Sequence, residues 1–282
     1  MTAFDDPQPL TVPSAEMWSS IGVTCGRELH GGYQSKVFAA EYEGDAVVVK
    51  LTDGRLVDHA FQQRLEVAAA AAAIDDFVVG PISTGEIPYQ RLDDWLVVVY
   101  PMVSGTPPDI RVEHDVRRLA SSLARLHRVL DEVGPFDVPI VAALAGSADS
   151  IGFGRQQLLH GDYSAANVMF SGRAVRVFDF DDCGYGPVEF EVGNTLYMML
   201  FDAAMASNMR DYEGFRDWFV SEYRSTSGFD VPDELLDKSI GLRVEALGRW
   251  VERPDTAPIG IRTATPAWRE SLRAFVRSQT RG

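Results

Sequence analysis

Polar side chains able to handle a metal ion and a proton are concentrated in one stretch of this sequence, LLHGDYSAANVMFSGRAVRVFDFDD at residues 158–182. A carboxylate near a hydroxyl group can act as a general base, and amide and carboxylate oxygens are hard ligands that suit Mg²⁺. The residues of the stretch with this chemistry are Asp162, Asn167, Asp179, Asp181 and Asp182. Their types therefore predict a site that holds metal and phosphate and activates a hydroxyl group.

Two apolar runs within this stretch position the polar side chains. Residues 167–170 and 174–178 flank the turn sequence SGR, a pattern typical of a β-hairpin. Antiparallel pairing across this turn brings Asn167, at the start of one strand, to the same end as Asp179, after the other. Taken alone, Asp162 or Asn167 is equally typical of a turn or a cap. That alternative does not explain why these residues occur together in this order.

A lysine and a glutamate in the first third of the chain could bind phosphate together. Lys50 ends the apolar run AVVVK, where a buried ammonium group needs an anion. Glu66 lies in an alanine-rich segment, residues 57–74, that predicts a helix. A strand lysine paired with a helix glutamate positions nucleotide phosphate in kinases. The alternative is a lysine that reaches solvent and a glutamate on an exposed helix face, and these two residues taken alone favour that alternative.

Gly31 and Gly32 lie between the first two predicted strands. Glycines there allow backbone N–H groups to approach a phosphate closely. The sequence HGGYQSKVF is neither a GxGxxG motif nor a P-loop, and a plain hairpin turn explains it as well.

The elements predicted along the chain form two groups. The first third alternates short strands with glycines and ends in the strand WLVVVYPMV, after which SGTPPDIRVEHD indicates a linker. Residues 113–130 then repeat apolar side chains at helical spacing, and the remaining sequence is mainly helical apart from the hairpin. We therefore expect two lobes, at residues 1–103 and 104–282.

Composition excludes several classes of protein and ligand. The net charge of −15 argues against a nucleic-acid partner, which requires a basic surface. The apolar stretches are shorter than the roughly 20 residues of a membrane span, and the polar start does not resemble a secretory signal, so we expect a cytoplasmic protein. Cys25 and Cys183 are expected to be reduced thiols. The five histidines show no metal-ligand spacing, so oxygen atoms are expected to hold any metal.

The combination of HGDYSAAN and FDFDD with Lys50, Glu66 and a helix ending in LARLH resembles the aminoglycoside phosphotransferase and choline kinase superfamily, relatives of protein kinases. The resemblance covers about residues 25–200. It implies an α+β, bilobal, protein-kinase-like fold, with a small antiparallel N-lobe sheet, one long N-lobe helix and a mainly helical C-lobe. It also implies ATP or GTP with Mg²⁺, and transfer of a phosphoryl group to the hydroxyl of a small molecule.

The resemblance implies roles for the residues that match its motifs. Lys50 corresponds to the lysine of the α- and β-phosphates, and Glu66 to its ion-pair partner. Asp162 corresponds to the catalytic base, while Asn167 and Asp179 correspond to the Mg²⁺ ligands.

Further positions take roles from the same resemblance. Backbone groups near Pro101 and Val103 are expected to meet the adenine at the hinge. His160 is expected to be structural, and Glu191 to steady the catalytic loop where relatives usually carry aspartate. Asp181 is expected to assist the metal or the substrate, and the neighbouring Asp182 is interpreted as a turn residue.

The identity of the acceptor is not encoded in any motif that we can assign. Members of the superfamily phosphorylate antibiotics, choline, homoserine and sugars, and we expect an antibiotic acceptor of the aminoglycoside, macrolide or cyclic peptide type. A metabolic kinase for an amino alcohol or sugar is the alternative. A non-catalytic nucleotide-binding regulator is a third possibility, against which stands the presence of Lys50, Asp162, Asn167 and Asp179.

Overall fold

The computed structural model describes residues 11–29, 35–83, 85–144, 154, 156–257, 259–262 and 264–280. A five-stranded antiparallel sheet occupies the first part of the chain, in the order β1-β2-β3-β5-β4. Its strands are β1 (Val23–Leu29), β2 (Ser35–Tyr42), β3 (Asp45–Asp53), β4 (Gln90–Leu92) and β5 (Trp95–Pro101). A short helix, α1 (Ala15–Ser20), precedes β1, and α2 (Phe61–Ile74) connects β3 to β4.

The central strand β3 has an apolar core on one face and carries Lys50 on the other. Val47, Val49 and Leu51 are almost fully buried in a core that also contains Trp18. Because successive side chains of a strand alternate between faces, Lys50 lies on the opposite face from Val49 and Leu51. The backbone of the sheet thereby carries Lys50 away from its own core.

The second part of the chain is mainly helical. Its helices are α3 (Glu113–Glu132), α4 (Val188–Met205), α5 (Met209–Ser227), α6 (Asp233–Glu252), α7 (Ile259–Arg262) and α8 (Pro266–Gln279). Two antiparallel pairs of short strands accompany them, β6 (Gln156–Leu159) with β9 (Gly184–Pro187), and β7 (Val168–Ser171) with β8 (Ala174–Val177). The predicted α+β class, with a small antiparallel sheet and a helical second part, is confirmed.

The apolar face that the sequence predicts for helix α3 is buried in the structure. Val116, Leu119, Leu123 and Leu130 lie on the predicted face, and each is at most 1% exposed. Burying side chains of this size contributes roughly 1.5–3 kcal/mol each before the entropy cost of ordering them. Residues of α2 join the same core, so the helix after Lys50 packs against the helical part of the chain.

Helix α4 is buried on nearly all sides and lies against α5, α6 and α8. A helix that is buried on all sides is normally apolar on all sides. The first two turns of α4 nevertheless contain four buried polar residues, Glu189, Glu191, Asn194 and Thr195. Buried polar groups must find hydrogen-bond partners, so these residues mark where α4 does more than fill the core.

The lobe boundary at residues 103 and 104 lies just after β5 and stays a prediction. Within the described part of the chain, no helix combines the length and apolarity needed to cross a bilayer.

Candidate active site

The β7–β8 hairpin brings Asn167 close to the segment that carries Asp179, as the sequence predicted. Val168 pairs with Val177 in the β7–β8 ladder, and the backbone N–H of Phe178 donates to the carbonyl of Asn167 at 3.1 Å. Asn167 therefore lies beside the segment that carries Asp179. Asp179 has a left-handed backbone, with φ at 72°, which turns the chain sharply after Phe178.

Lys50 reaches this end of the hairpin from the sheet. Its Nζ lies 2.7 Å from Oδ1 of Asp179 and 2.6 Å from Oδ2 of Asp181, and only 10% of its side chain is exposed. Burial alone would lower the pKa of Lys50, but the charges of Asp181 and Asp179 outweigh it and raise the pKa. The ammonium group thus stays protonated between two carboxylates.

The predicted ion pair between Lys50 and Glu66 is not formed in this structure. The Glu66 carboxylate instead accepts hydrogen bonds from the side-chain amides of Gln62 and Gln63, each at 2.7 Å. Both ion pairs that Lys50 makes with described residues are to aspartates that follow the hairpin, so the lysine already has its counterions. The contact of Asp181 with Lys50 was not predicted from the sequence.

Asp162 has the environment of a proton acceptor. Burial chiefly, and the nearby charges of Asp182 and Asp179, raise the pKa of Asp162 to about 6, against the opposing effects of His160 and Arg243. The side-chain amide of Asn167 donates to the Asp162 backbone carbonyl at 2.8 Å and to Oδ2 at 3.1 Å. Within the described part of the chain, Oδ1 of Asp162 accepts no hydrogen bond. A hydroxyl group could therefore donate to it.

Asn167 and Asp179 fit a magnesium ion that also binds phosphate. The amide nitrogen of Asn167 is committed to Asp162, which directs its oxygen elsewhere, and one oxygen of Asp179 is committed to Lys50. Although burial alone would raise the pKa of Asp179, Lys50 lowers it, so the carboxylate is charged. Mg²⁺ commonly takes one or two protein oxygens together with phosphates and water. Among the described residues, no group of three His, Cys, Asp or Glu side chains is arranged to hold a metal ion.

Glu191 clamps the loop that carries Asp162. Its Oε1 accepts from the Gly161 backbone N–H at 2.6 Å, and its Oε2 accepts from the His160 N–H at 3.1 Å and lies 2.9 Å from His127 Nε2. Burial alone would raise the pKa of Glu191, but the hydrogen bond and charge of His127, with smaller contributions from His160 and the Gly161 N–H, lower it. The expected loop-steadying role matches this geometry, with the longer glutamate side chain accommodated.

His160 ties the loop to the hairpin. Its Nε2 donates to the Phe178 carbonyl at 3.0 Å, while its Nδ1 accepts from the Asp162 backbone N–H at 3.3 Å. The ring is fully buried and packs against Phe180. These contacts agree with the structural role expected for this histidine.

Gly161 explains the position of Asp182. The glycine has a φ of 86°, and a side chain there would collide with the Asp182 backbone carbonyl. The loop and the segment after the hairpin therefore pass at a distance that only glycine permits. The sequence had led us to interpret Asp182 only as a turn residue. In the structure its charge also helps to raise the pKa of Asp162.

Sequence reasoning missed three residues that hold the loop. Asn194 donates to the Gly161 carbonyl at 3.0 Å, and Thr195 donates to the Tyr163 carbonyl at 2.9 Å. His127, interpreted as a member of the apolar face of α3, contacts Glu191. The available signal was the spacing on α4, since Asn194 and Thr195 follow Glu191 by three and four positions and share its face.

The structure gives less support for the nucleotide contacts predicted in the first part of the chain than for the residues around Asp162. Gly31 and Gly32 lie outside the described residues. Pro101 is exposed at the end of β5 and Val103 is half-buried beyond it. The intervening Met102 N–H donates to the Ala46 carbonyl at 3.2 Å, so it is already engaged within the sheet. The hinge assignment of Pro101 and Val103 stays a prediction.

A cavity of ≈ 440 Å³ extends from Lys50, Asp162 and Asp179 into the helical part of the chain. One end contains the carboxylates of Asp162, Asp179, Asp181 and Asp182 together with Lys50. The other end is an apolar wall contributed by α4, α6, α7 and α8. We call it the acceptor wall, and its residues include Tyr197, Phe201, Leu247, Trp250, Trp268 and Leu272. Arg243 of α6 is the cation of this wall.

Residues 141–228 match the family model described as phosphotransferase enzyme family, APH. The matched segment includes the Asp162 loop, the hairpin, Asp179 and the Glu191 clamp. The predicted family resemblance is confirmed. The match also supports a phosphotransferase with an alcohol group as acceptor. Comparison with curated protein sequences gives no match.

The phosphotransferase-like structure is also similar to solved kinases over most of its length. Amicoumacin kinase hAmiN, in complex with AMP-PNP, Ca²⁺ and Ami, gives a TM-score of 0.73 at 13% identity, covering 94% of this chain and 92% of that chain. A microcompartment-associated aminopropanol kinase gives 0.63 at 19% identity, covering 91% and 90%. A thermostable mutant of aminoglycoside phosphotransferase APH(4)-Ia, with ADP and hygromycin B, gives 0.57 at 13% identity, covering 94% and 97%. At these identities the likeness establishes the kinase-like fold.

Proposed function

We propose that this chain is an ATP- or GTP-dependent, Mg²⁺-dependent O-phosphotransferase that moves the γ-phosphoryl group to a hydroxyl of a small molecule. The observation that carries the proposal is that Asp162, to which Asn167 is hydrogen-bonded, lines the same cavity as the Lys50–Asp179 pair. Two structural relatives contain AMP-PNP with Ca²⁺ or ADP, which supports the use of a nucleotide.

The residues divide the chemistry between them. A bond forms from the acceptor oxygen to the γ-phosphorus, the bond from that phosphorus to the β,γ-bridging oxygen breaks, and the hydroxyl proton passes to Asp162. Lys50 would contact the phosphates, and Asn167 and Asp179 would hold Mg²⁺. The metal, when bound, neutralises charge on the phosphate oxygens. The Glu191 clamp would keep Asp162 fixed, so that little reorganisation is needed when the acceptor binds.

The rest of the nucleotide site is proposed from the family resemblance. Residues 1–103 would form the nucleotide-binding lobe and residues 104–282 the lobe with the catalytic loop and acceptor cavity. Gly31 and Gly32 would approach the phosphates, and backbone groups near Pro101 and Val103 would contact adenine. Because the reaction consumes ATP, we propose that it takes place in the cytoplasm.

For the acceptor, we propose an antibiotic, as in a resistance-type kinase. The likeness to amicoumacin kinase supports this class of acceptor. A metabolic kinase acting on a small alcohol is the second candidate, and the likeness to the aminopropanol kinase supports it. The presence of Lys50, Asp162, Asn167 and Asp179 argues against a non-catalytic regulator.

The test is a screen for acceptor-dependent ATP consumption. The panel should contain aminoglycosides, macrolides, cyclic peptides, amicoumacin-type compounds and small amino alcohols, with product mass measured for one added phosphate. We expect phosphorylation that requires Mg²⁺ and is lost in the Asp162→Asn variant. A chain that does not bind Mg-ATP, or whose Asp162→Asn variant is equally active, would contradict the proposal.

A further inference from the structure

The acceptor wall contains a cation whose buried Nε has no hydrogen-bond partner among the described residues. Lys50 and Arg243 are the two basic side chains that line the described cavity, and Lys50 is already paired with two carboxylates. Arg243 has a buried Nε with no hydrogen-bond partner, and it makes no ion pair among the described residues. A buried guanidinium N–H without a partner costs free energy unless a ligand accepts its hydrogen bond.

Aromatic rings hold this guanidinium in the wall. The Arg243 Cζ lies 4.9 Å from the centroid of the Tyr197 ring and 5.8 Å from that of the Trp250 ring. Such contacts stabilise a cation over the face of each ring. Because the Arg243 guanidinium already lies over these two rings, a substrate ammonium group at the same position would be repelled by its positive charge.

The distribution of acids in the cavity argues in the same direction. Its carboxylates, Asp162, Asp179, Asp181 and Asp182, are all at the catalytic end. The acceptor wall itself presents mainly aromatic and aliphatic side chains around Arg243. A polyamine acceptor requires carboxylates spread along its length, whereas a molecule with an apolar face and an oxygen acceptor complements this wall.

Arg243 and Asp162 are near enough to act on one molecule. Both line the same cavity, and the positive charge of Arg243 is among the influences on the Asp162 carboxyl. An acceptor whose hydroxyl faces Asp162 can therefore place another of its polar groups at Arg243.

We infer that Arg243 is a specificity-determining residue that donates hydrogen bonds to a carbonyl-type oxygen, of a carboxylate or an amide, on the acceptor. The acceptor would be a hydroxyl compound with an aromatic or aliphatic face against the acceptor wall, and not a polyamine. This inference rests on the proposed phosphotransferase function and names its substrate class.

The test uses three compounds that share a phenyl ring and a benzylic hydroxyl. They are β-phenyl-β-hydroxypropionic acid, its amide, and the amino alcohol in which an aminomethyl group replaces the carboxyl group. Comparing the acid with the amide shows whether Arg243 prefers a carboxylate or an amide oxygen. The amino alcohol carries a positive charge where the acid carries a negative one. For the unsubstituted chain we expect kcat/KM for the better of the acid and the amide to exceed that for the amino alcohol by about 10-fold to 100-fold, the range for hydrogen bonds to a charged group.

Variants at Arg243 should change this order. Arg243→Glu is expected to reverse the preference toward the amino alcohol, and Arg243→Lys to keep the preference for the acid while weakening it. Arg249→Glu is the matched control, because Arg249 lies on the same helix and is not among the residues that line the cavity. It should leave the order unchanged.

Binding of Mg-ATP and thermal unfolding, measured on every variant, separate the two proposals. Absence of Mg-ATP binding in the unsubstituted chain would contradict the phosphotransferase function. If Mg-ATP binds, the inference about Arg243 is overturned by a preference for the amino alcohol, by an order that Arg243→Glu does not alter, or by transfer to none of the three compounds.

Discussion

The catalytic end and the acceptor wall of the cavity are built in opposite ways. At the catalytic end, charged and polar side chains are interlocked, with Glu191 receiving two backbone N–H groups and contacting a histidine. The acceptor wall is mainly aromatic and aliphatic, with Arg243 as a cation that lacks a hydrogen-bond partner among the described residues. The difference indicates that one end is preorganised for a fixed reaction, whereas the other is completed by the molecule that binds there.

The largest expected effect is at the proposed base. Asp162→Asn keeps the size and much of the hydrogen bonding of the side chain but removes the proton acceptor. We expect turnover to fall by about 10²-fold to 10⁴-fold, the range for a positioned general base, with Mg-ATP affinity retained. Steady-state kinetics with the best acceptor of the screen would measure it.

The matched control is Asp202→Asn, which changes an exposed aspartate of α4 that is not among the residues lining the cavity. It should leave turnover unchanged. Equal losses in both variants would assign the effect to folding and remove the assignment of Asp162.

The second prediction concerns the metal ligand. Asp179→Ala removes a proposed Mg²⁺ oxygen and one of the two counterions of Lys50. We expect the Mg²⁺-dependent part of nucleotide affinity to fall by about 100-fold or more, since changes even outside the direct ligands of a metal cost about 10-fold to 100-fold. Titration of nucleotide with and without Mg²⁺ would measure it.

Asp76→Ala is its control, because Asp76 is an exposed aspartate that forms an ion pair with Arg176 of the hairpin and is not among the residues lining the cavity. An unaltered metal dependence in Asp179→Ala would count against the ligand role.

The catalytic end and the acceptor wall also differ in how well the sequence predicts them. The catalytic end was predictable because its reactive residues are concentrated in one hairpin and the loop before it, where turn geometry fixes their relation. Asp162, Asn167 and Asp179 came together as expected. The counterion of Lys50 was assigned wrongly to Glu66, since the choice between a helix glutamate and Asp181 depends on packing between distant segments.

The acceptor wall was not predictable for a related reason. It draws one or two residues from each of several helices, such as Tyr197 of α4, Arg243 of α6 and Trp268 of α8, and each looks like an ordinary helix residue in sequence. Their meeting depends on how the helices cross, and no local pattern encodes that. The helices themselves were predictable from their apolar spacing.

The third prediction tests whether the clamp is structural. Glu191→Gln keeps the shape of the side chain but removes its charge and one acceptor from a fully buried cluster. We expect the free energy of unfolding at neutral pH to fall by about 2–3 kcal/mol, the range for a buried hydrogen bond to a charged group. Denaturant unfolding would measure it, with the exposed substitution Glu270→Gln as a control that leaves stability unchanged.

The same substitution has a pH signature. The pKa of Glu191 in the folded chain lies below its ordinary value of 4.5, so its stabilisation is complete above that pH and is lost as pH falls toward the folded pKa. The stability difference between the unsubstituted chain and Glu191→Gln should therefore stay constant from neutral pH down to about 4.5 and shrink as the pH falls further. A difference independent of pH would show that the charge is not what holds the loop.

The smallest expected effect lies on the acceptor wall. Trp268 is 37% exposed and meets Phe201 edge to face, with ring centroids 6.0 Å apart. Because Trp268 lines the cavity from α8 and is partly exposed, Trp268→Ala should remove binding surface without disturbing the base. We expect KM for the acceptor to rise by about 5-fold to 10-fold, consistent with the loss of an aromatic contact, while kcat and the unfolding temperature change little. A fall in kcat with KM unchanged would mean that the two ends of the cavity are coupled, and the contrast between a rigid catalytic end and a passive wall would then be wrong.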